Sequence, residues 1–280
     1  MRPRSHGRAR RSAARSRRKP AQTPGGIAAE VDEVLGWVHA SVPSAGRGLR
    51  VLEVGCGPGD LAARLLEEGI LVTAIDVSEE QVLSARRKGV PAIQSDFLSF
   101  DEQGFDVVLF TRSLHHIWPL EAAIRKIRSL LRPGGWVLAD EFAVDEIDAT
   151  TAAWFWDLQA VLEESGALAP DVPRHRHGAS HRHHGPPLAD PVERWKQRHL
   201  HDPPLHSART LIAAVGGAFA LRPPERGPYL HRYFSDRVAD SEAGTTLFLR
   251  VRELERLRLA QGLLVPIGIR LVASIERGSG

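Results

Sequence analysis

Cysteine is almost absent from this chain of 280 residues: Cys56 stands alone, so no intrachain disulfide can form and a reducing compartment is the expected setting. No apolar run approaches the roughly 18 residues that a membrane-spanning helix needs, so no span is expected. Acid is missing from the start of the chain. The first carboxylate is Glu30, while nine Lys or Arg fall between Arg2 and Lys19. No apolar stretch follows Arg10-Arg11, so twin-arginine export is not expected and a cytoplasmic protein is. Without that segment the chain carries 28 basic against 34 acidic residues, so its positive net charge resides in the tail and does not indicate a nucleic-acid partner. A tail rich in Arg, Ser, Ala and Pro cannot bury a core, and residues 1–25 are read as disordered. Hydrophobic residues, by contrast, make up 42% of the chain, enough for one large domain or a domain with an inserted cap.

Apolar positions Ile27, Val31, Val34, Leu35 and Val38 have helical spacing. From residue 49 strand and helix patterns alternate. Strands are predicted at 49–54, 71–76, 90–94, 105–110 and 136–141, and helices at 61–68, from Ser78 to near Gly89, and over Leu120, Ile124, Ile127 and Leu131. Asp60 is the predicted N-cap of the first of these helices, and Ser78 with Gln81 has capping-box spacing for the second. This order implies a doubly wound α/β fold with right-handed crossovers. The rhythm breaks after residue 145. Helices are predicted at 151–164, 207–215 and 245–261, strands at 229–234 and 267–275, and a loop over 170–191.

The sharpest motif is Glu53-Val54-Gly55-Cys56-Gly57-Pro58-Gly59-Asp60, between the first strand and its helix. Glycines there permit a tight turn and close ligand approach, at the strand end where open α/β sheets bind ligands. Dinucleotide folds use G-x-G-x-x-G, whereas here the third glycine comes one residue early and Asp60 takes the last glycine's place. That counts against NAD or FAD. Asp76 ends strand two, where a carboxylate can accept from both hydroxyls of a ribose. Asp96 follows strand three and can accept from an exocyclic amine, with Phe97 beside it to cover a base.

Glu53-x-Gly55-x-Gly57-x-Gly59, Asp76, Asp96-Phe97, Phe105-Asp106-Val107-Val108 and Leu131-Arg132-Pro133-Gly134-Gly135 together resemble the ordered motifs of class I S-adenosylmethionine (SAM)-dependent methyltransferases. Ser113-Leu114-His115-His116-Ile117 is similar to a small-molecule subgroup that includes the ubiquinone and menaquinone methyltransferases. The resemblance covers residues 49–142. It implies a Rossmann-like, mostly parallel sheet of seven strands with an antiparallel last strand, and a small lid. It also implies SAM as cofactor, held at the methionine end by Gly55, Cys56, Gly57 and Gly59, with Glu53 either anchoring that loop or reaching the methionine amine. Asp76 and Val77 would hold the ribose, Asp96 and Phe97 the adenine, and Thr111 and Arg112 would lie beside the sulfonium.

The expected organisation is a tail at 1–25, a SAM-binding core at 26–145, a lid at 146–210 and a C-terminal part at 211–280 that completes the sheet. The expected reaction is methyl transfer to O, N or C of a small molecule. His115 and His116 are the candidate bases, since an ordinary imidazole titrates near pH 6.5; a positional role in the motif is the alternative. Trp154, Trp156, Trp195, Tyr229 and Tyr233 either line an acceptor pocket or belong to the core. His175, His177, His181, His183 and His184 form a His-rich run with no accompanying ligand pattern, so no metal is expected. Three rival readings are a tail-guided nucleic-acid or protein methyltransferase, a non-catalytic SAM-binding protein and an NAD-dependent oxidoreductase. The first is disfavoured by Thr111-Arg112-Ser113-Leu114, which stands where amino-methylating enzymes carry Asn-Pro-Pro-Tyr.

Overall fold

A computed structural model of the chain describes residues 25–42, 48–171 and 190–275; residues 1–24 of the predicted tail and the His-rich run lie outside them. Helix α1 (Gly25–Ser41) leads into largely alternating elements: β1 (Arg50–Val54), α2 (Asp60–Glu67), β2 (Leu71–Asp76), α3 (Glu79–Arg87), β3 (Ala92–Gln94), β4 (Phe105–Thr111), α4 (Leu120–Leu130) and β5 (Leu131–Phe142). Then come α5 (Ala149–Glu164), α6 (Pro191–Arg198), α7 (Ala208–Ala218), β6 (Ala220–Leu221), β7 (Glu225–Gly227), α8 (Glu242–Ala260) and β8 (Gly268–Ser274).

The sheet runs β3-β2-β1-β4-β5-β8-β6, with the three-residue β7 also paired to β8. Strands β1 to β5 are parallel, and β8 is antiparallel to β5. The strand order reverses between β1 and β4, and ligands of open α/β sheets bind outside the carboxyl ends of the strands at such a switch.

Side chains alternate between faces along each strand. On β4, Val107 and Leu109 pack with Val34, Leu65 and Val82 of α1, α2 and α3, while Val108 and Phe110 pack with Ile124, Ile127 and Leu211 of α4 and α7. Both faces are therefore covered, as the near-continuous apolar strands require. A third cluster joins α5, α6 and α8 through Phe155, Trp156, Trp195, Phe234 and Phe248. Trp156 and Trp195 are core residues whose indole N–H groups donate to Pro191 O at 3.0 Å and Val144 O at 2.8 Å.

Two local expectations are corrected, and one helix was not foreseen. Residues 229–234 are not a strand: Leu230–Phe234 is a 3-10 helix, because Glu255 of α8 accepts from the backbone N–H of Tyr229, Leu230 and His231 and so draws those donors away from any ladder. Asp60 does not cap α2. Gly59 holds that position in the left-handed conformation, and the Asp60 carboxylate accepts instead from Lys88 Nζ at 2.5 Å. Helix α6, embedded in the His- and Pro-rich stretch, has no periodic signal long enough to be read from the sequence.

Gly59 has φ +78, and a Cβ there would lie 2.6 Å from the Ala85 Cβ on α3. Gly89 has a similar φ of +85 with open space around it. Gly89→Ala is therefore expected to cost about 1–2 kcal/mol, the left-handed penalty alone. Gly59→Ala should cost about 1–3 kcal/mol more from overpacking. Guanidinium unfolding of the two variants measures the difference, and equal losses would rule out the close packing of the loop on α3.

Candidate active site

Where β1 runs out, Gly55 N and Cys56 N donate to Ile75 O at 2.9 and 3.0 Å, prolonging the seam with β2. Asp76, at the tip of β2, then accepts from Gly57 N and Ser78 N, both at 2.9 Å. One carboxylate thus fixes the glycine loop and the start of α3. Gly55 faces Ser113, whose Cβ would lie 2.6 Å from a Cβ on residue 55, and Ser113 Oγ donates to Val54 O at 2.6 Å. The loop after β4 is thereby stitched to the loop after β1. Cys56 is buried, and burial, then Glu53 and Asp76, push its thiol well above the ordinary range. It is a small packing residue and not a thiolate.

Glu53 is 1% exposed, and its Oε2 makes no hydrogen bond among the described residues. Burial, followed by repulsion from Asp60 and Asp76, pushes its carboxyl up to about 8, against the opposing backbone hydrogen bond at Ala62. A buried carboxyl of this kind ionises readily once a cation lies beside it.

Asp96 is exposed and caps the short 3-10 helix Phe97–Ser99 by accepting from Leu98 N at 2.9 Å. That turn swings the Phe97 ring inward. It is 4% exposed and packs edge-on against Phe110 at 5.5 Å, so the ring belongs to the core and only the Phe97 main chain stays at the strand tip. Val77, by contrast, is 52% exposed beside Asp76.

At the tip of β4, Thr111 is half-buried and pairs with Asp140. Arg112 has φ 58, an uncommon conformation for a residue with a side chain, and is held there by its N–H to Asp140 O at 2.9 Å and by an ion pair with Glu30 at 3.1 Å. His115 is buried, and its Nδ1 meets Oε2 of the fully buried Glu141 on β5. Glu141 Oε1 accepts from Ser113 N at 3.1 Å and Leu114 N at 2.7 Å. His116 is exposed, its ring 4.3 Å from that of His115 and 5.0 Å from that of His201. The two candidate bases are therefore adjacent but in different surroundings.

The segment between α6 and α7 reaches the same loop. His206 N donates to His115 O and its Nε2 to Ile117 O, both at 3.0 Å, while its ring stacks on Trp118. Tyr229 stacks on Phe142 at 4.7 Å. His199 lies between Trp195 O at 2.8 Å and the Tyr233 hydroxyl at 2.7 Å. Burial pushes His199 down to about 3, so it is neutral, donating from Nδ1 and accepting from the tyrosine.

Sequence reasoning missed Glu141 and a second cluster behind the site. Asp140 accepts from Arg232 at 2.6 Å and Arg270 at 3.0 Å; Glu33 of α1 accepts from Arg270 at 3.0 Å and Arg252 at 3.2 Å. Burial alone would raise the Glu33 carboxyl, but His231, Arg232 and Arg270 hold it well below the usual carboxylate range. Among the described residues no group of three or more His, Cys, Asp or Glu is arranged to hold a metal.

Glu53 yields a pH prediction. In the unfolded chain it ionises near 4.5, in the folded chain at about 8. The folded state therefore binds more protons in between, and the stability from the neutral carboxyl is full below 4.5 and is lost as pH rises through about 8. Thermal unfolding from pH 5 to 9 should show a downward slope that Glu53→Gln flattens. Parallel wild-type and variant curves would refute the assignment.

Residues 51–135 match a family described as "Methyltransferase domain". A ubiquinone biosynthesis O-methyltransferase of Paracidovorax citrulli is 34% identical over 113 residues, 37% of this chain and 47% of that protein. A malonyl-[acyl-carrier protein] O-methyltransferase of Enterobacter lignolyticus is 31% identical over 114 residues, 39% of this chain and 45% of that protein. The match thus spans about half the length of each relative. A solved S-adenosylmethionine dependent methyltransferase from Mesorhizobium loti shares the fold, with a TM-score of 0.51 at 19% identity over 87% of this chain and 99% of that one. Over residues 51–135, which hold the glycine loop and the strand-tip acids, the chain is thus similar in sequence to methyltransferase domains, and its fold is that of the solved enzyme from Mesorhizobium loti.

Proposed function

We propose that this chain transfers the methyl group of SAM to an oxygen of a small-molecule acceptor. The observation that carries the reading is the convergence, at the switch point, of the glycine loop, Asp76 and the Glu53 carboxyl, whose Oε2 has no partner among the described residues. These residues fit the cofactor. A carboxylate has about four acceptor positions, so Asp76 can serve Gly57 and Ser78 and still accept from ribose hydroxyls. Glu53 offers an unpaired oxygen for the methionine ammonium. Asp96 would accept from the adenine amine, with exposed Val77 against the base. Thr111 and Arg112 stand at the methyl end.

SAM supplies an already activated methyl group, so the residues here need only align an acceptor and exclude water. Residues 146–210 are the proposed lid, with Tyr229 and Phe142 stacked beneath it. Oxygen is favoured because both curated relatives described above are named O-methyltransferases, although their named acceptors differ. A base matters when a hydroxyl must lose its proton, and His115 and His116 are the candidates. No described helix is long and apolar enough to cross a membrane. The acidic balance of the chain outside its first 20 residues counts against a nucleic-acid acceptor.

Calorimetric titration with SAM tests the reading. Wild type should bind, and Asp76→Ala should bind about 1–3 kcal/mol more weakly, through loss of a buried hydrogen-bond partner. Saturation by NAD with none by SAM would overturn it.

A further inference from the structure

We propose that Glu141 is the positioning residue that makes His115, and not His116, the base of this site. The inference rests on reading the site as a methyl-transfer centre. Glu141 is 0% exposed and its carboxylate faces three donors: the backbone N–H groups of Ser113 and Leu114 at Oε1, and His115 Nδ1 at Oε2. A carboxylate has no proton to give and can only accept, so Oε2 faces Nδ1 as an acceptor just as Oε1 faces the two amides. His115 Nδ1 must therefore carry the proton, and Nε2 carries the lone pair.

The ring is held from other sides as well. Phe142 meets it edge-on at 5.1 Å, and His206 N binds the His115 carbonyl from the lid at 3.0 Å. The basic nitrogen thus has a fixed direction in the loop that follows β4. His116 sits on the exposed side of the same turn, against His201.

In the proposed step the acceptor O–H gives its proton to His115 Nε2 while the oxygen bonds to the methyl carbon. The electron pair of the broken S–C bond stays on sulfur. The resulting imidazolium faces Glu141, with no charge left unpaired.

The design of the pair dictates a decisive variant. In Glu141→Gln the amide oxygen can still accept from Ser113 N and Leu114 N, so the loop stays latched. The amide NH₂ then faces Nδ1 and can only donate to it, which drives His115 to the Nε2–H tautomer and removes the base.

Nuclear magnetic resonance of protein labelled with ¹⁵N-histidine reads the tautomer directly, with the His115 signals assigned from His115→Asn. The expected result is Nδ1–H in the wild type and Nε2–H in Glu141→Gln. SAM affinity should change by no more than about threefold, since the cofactor loop is untouched. Transfer from methyl-labelled SAM into a mixed pool of phenols, alcohols and carboxylic acids should fall about 100-fold or more. An Nε2–H tautomer in the wild type overturns the proposal without recourse to any variant. So does an unchanged tautomer, or transfer at the wild-type rate, in Glu141→Gln. Failure of the wild type to bind SAM overturns the methyl-transfer reading itself, whatever the tautomer.

Discussion

Buried carboxylates hold the loops at the carboxyl edge of this sheet. A parallel strand that ends leaves backbone donors without ladder partners, and buried donors must be satisfied. Asp76 serves Gly57 and Ser78, Glu141 serves Ser113 and Leu114, and Glu255 serves Tyr229, Leu230 and His231. Each carboxylate is fixed to a regular element or its tip, and each fixes the start of a neighbouring segment. The same edge is where the strand order reverses, so the groups that complete the fold are also those that shape the crevice.

A second set of charges ties the peripheral elements to that edge. Glu33 on α1, Asp140 on β5, Arg232 in the 3-10 helix, Arg252 on α8 and Arg270 on β8 share hydrogen bonds and ion pairs. Isolated buried charges are costly, and removing one partner of such a set is typically worse than replacing all of it with apolar groups. The cluster therefore says more about which arrangement is adopted than about how stable it is. It ends at Asp140, whose carbonyl also receives Arg112 N–H. Helix α1, the C-terminal strand and the uncommon backbone of Arg112 are in this way set by one cluster.

The core was legible because its chemistry is local in sequence. Glycines of the loop, Asp76 and Asp96 each sit within five residues of a strand end, so strand periodicity places them. What escaped notice pairs residues far apart: Glu141 meets Ser113 across 28 positions, Asp140 meets Arg232 across 92, and Glu33 meets Arg270 across 237. Within β5, Asp140 and Glu141 interrupt an apolar run, and two acids in a doubly covered strand are a signal that partners must exist. That signal names no partner. The inward turn of the Phe97 ring and the 3-10 helix at 230–234 escaped the sequence for a related reason. A capping carboxylate on one side of each, Asp96 or Glu255, turned the backbone in a way that hydrophobic pattern does not encode.

The sign of the charge in the crevice separates two ligand classes that share this fold. A dinucleotide places a pyrophosphate on a helix N-terminus, where unpaired N–H groups and the helix dipole favour an anion. Here that terminus carries Asp60 in its first turn, and Glu53 and Asp76 lie close enough that Asp60 and Asp76 both raise the Glu53 carboxyl. Lys88 engages Asp60 from the α3 side, which offsets one of the three acids and leaves Glu53 with its unpaired oxygen. An anion placed there would meet like charge, whereas a cationic amine would relieve the repulsion and permit Glu53 to ionise. The glycine loop supplies the room, and these acids favour a positively charged group over a phosphate at this point.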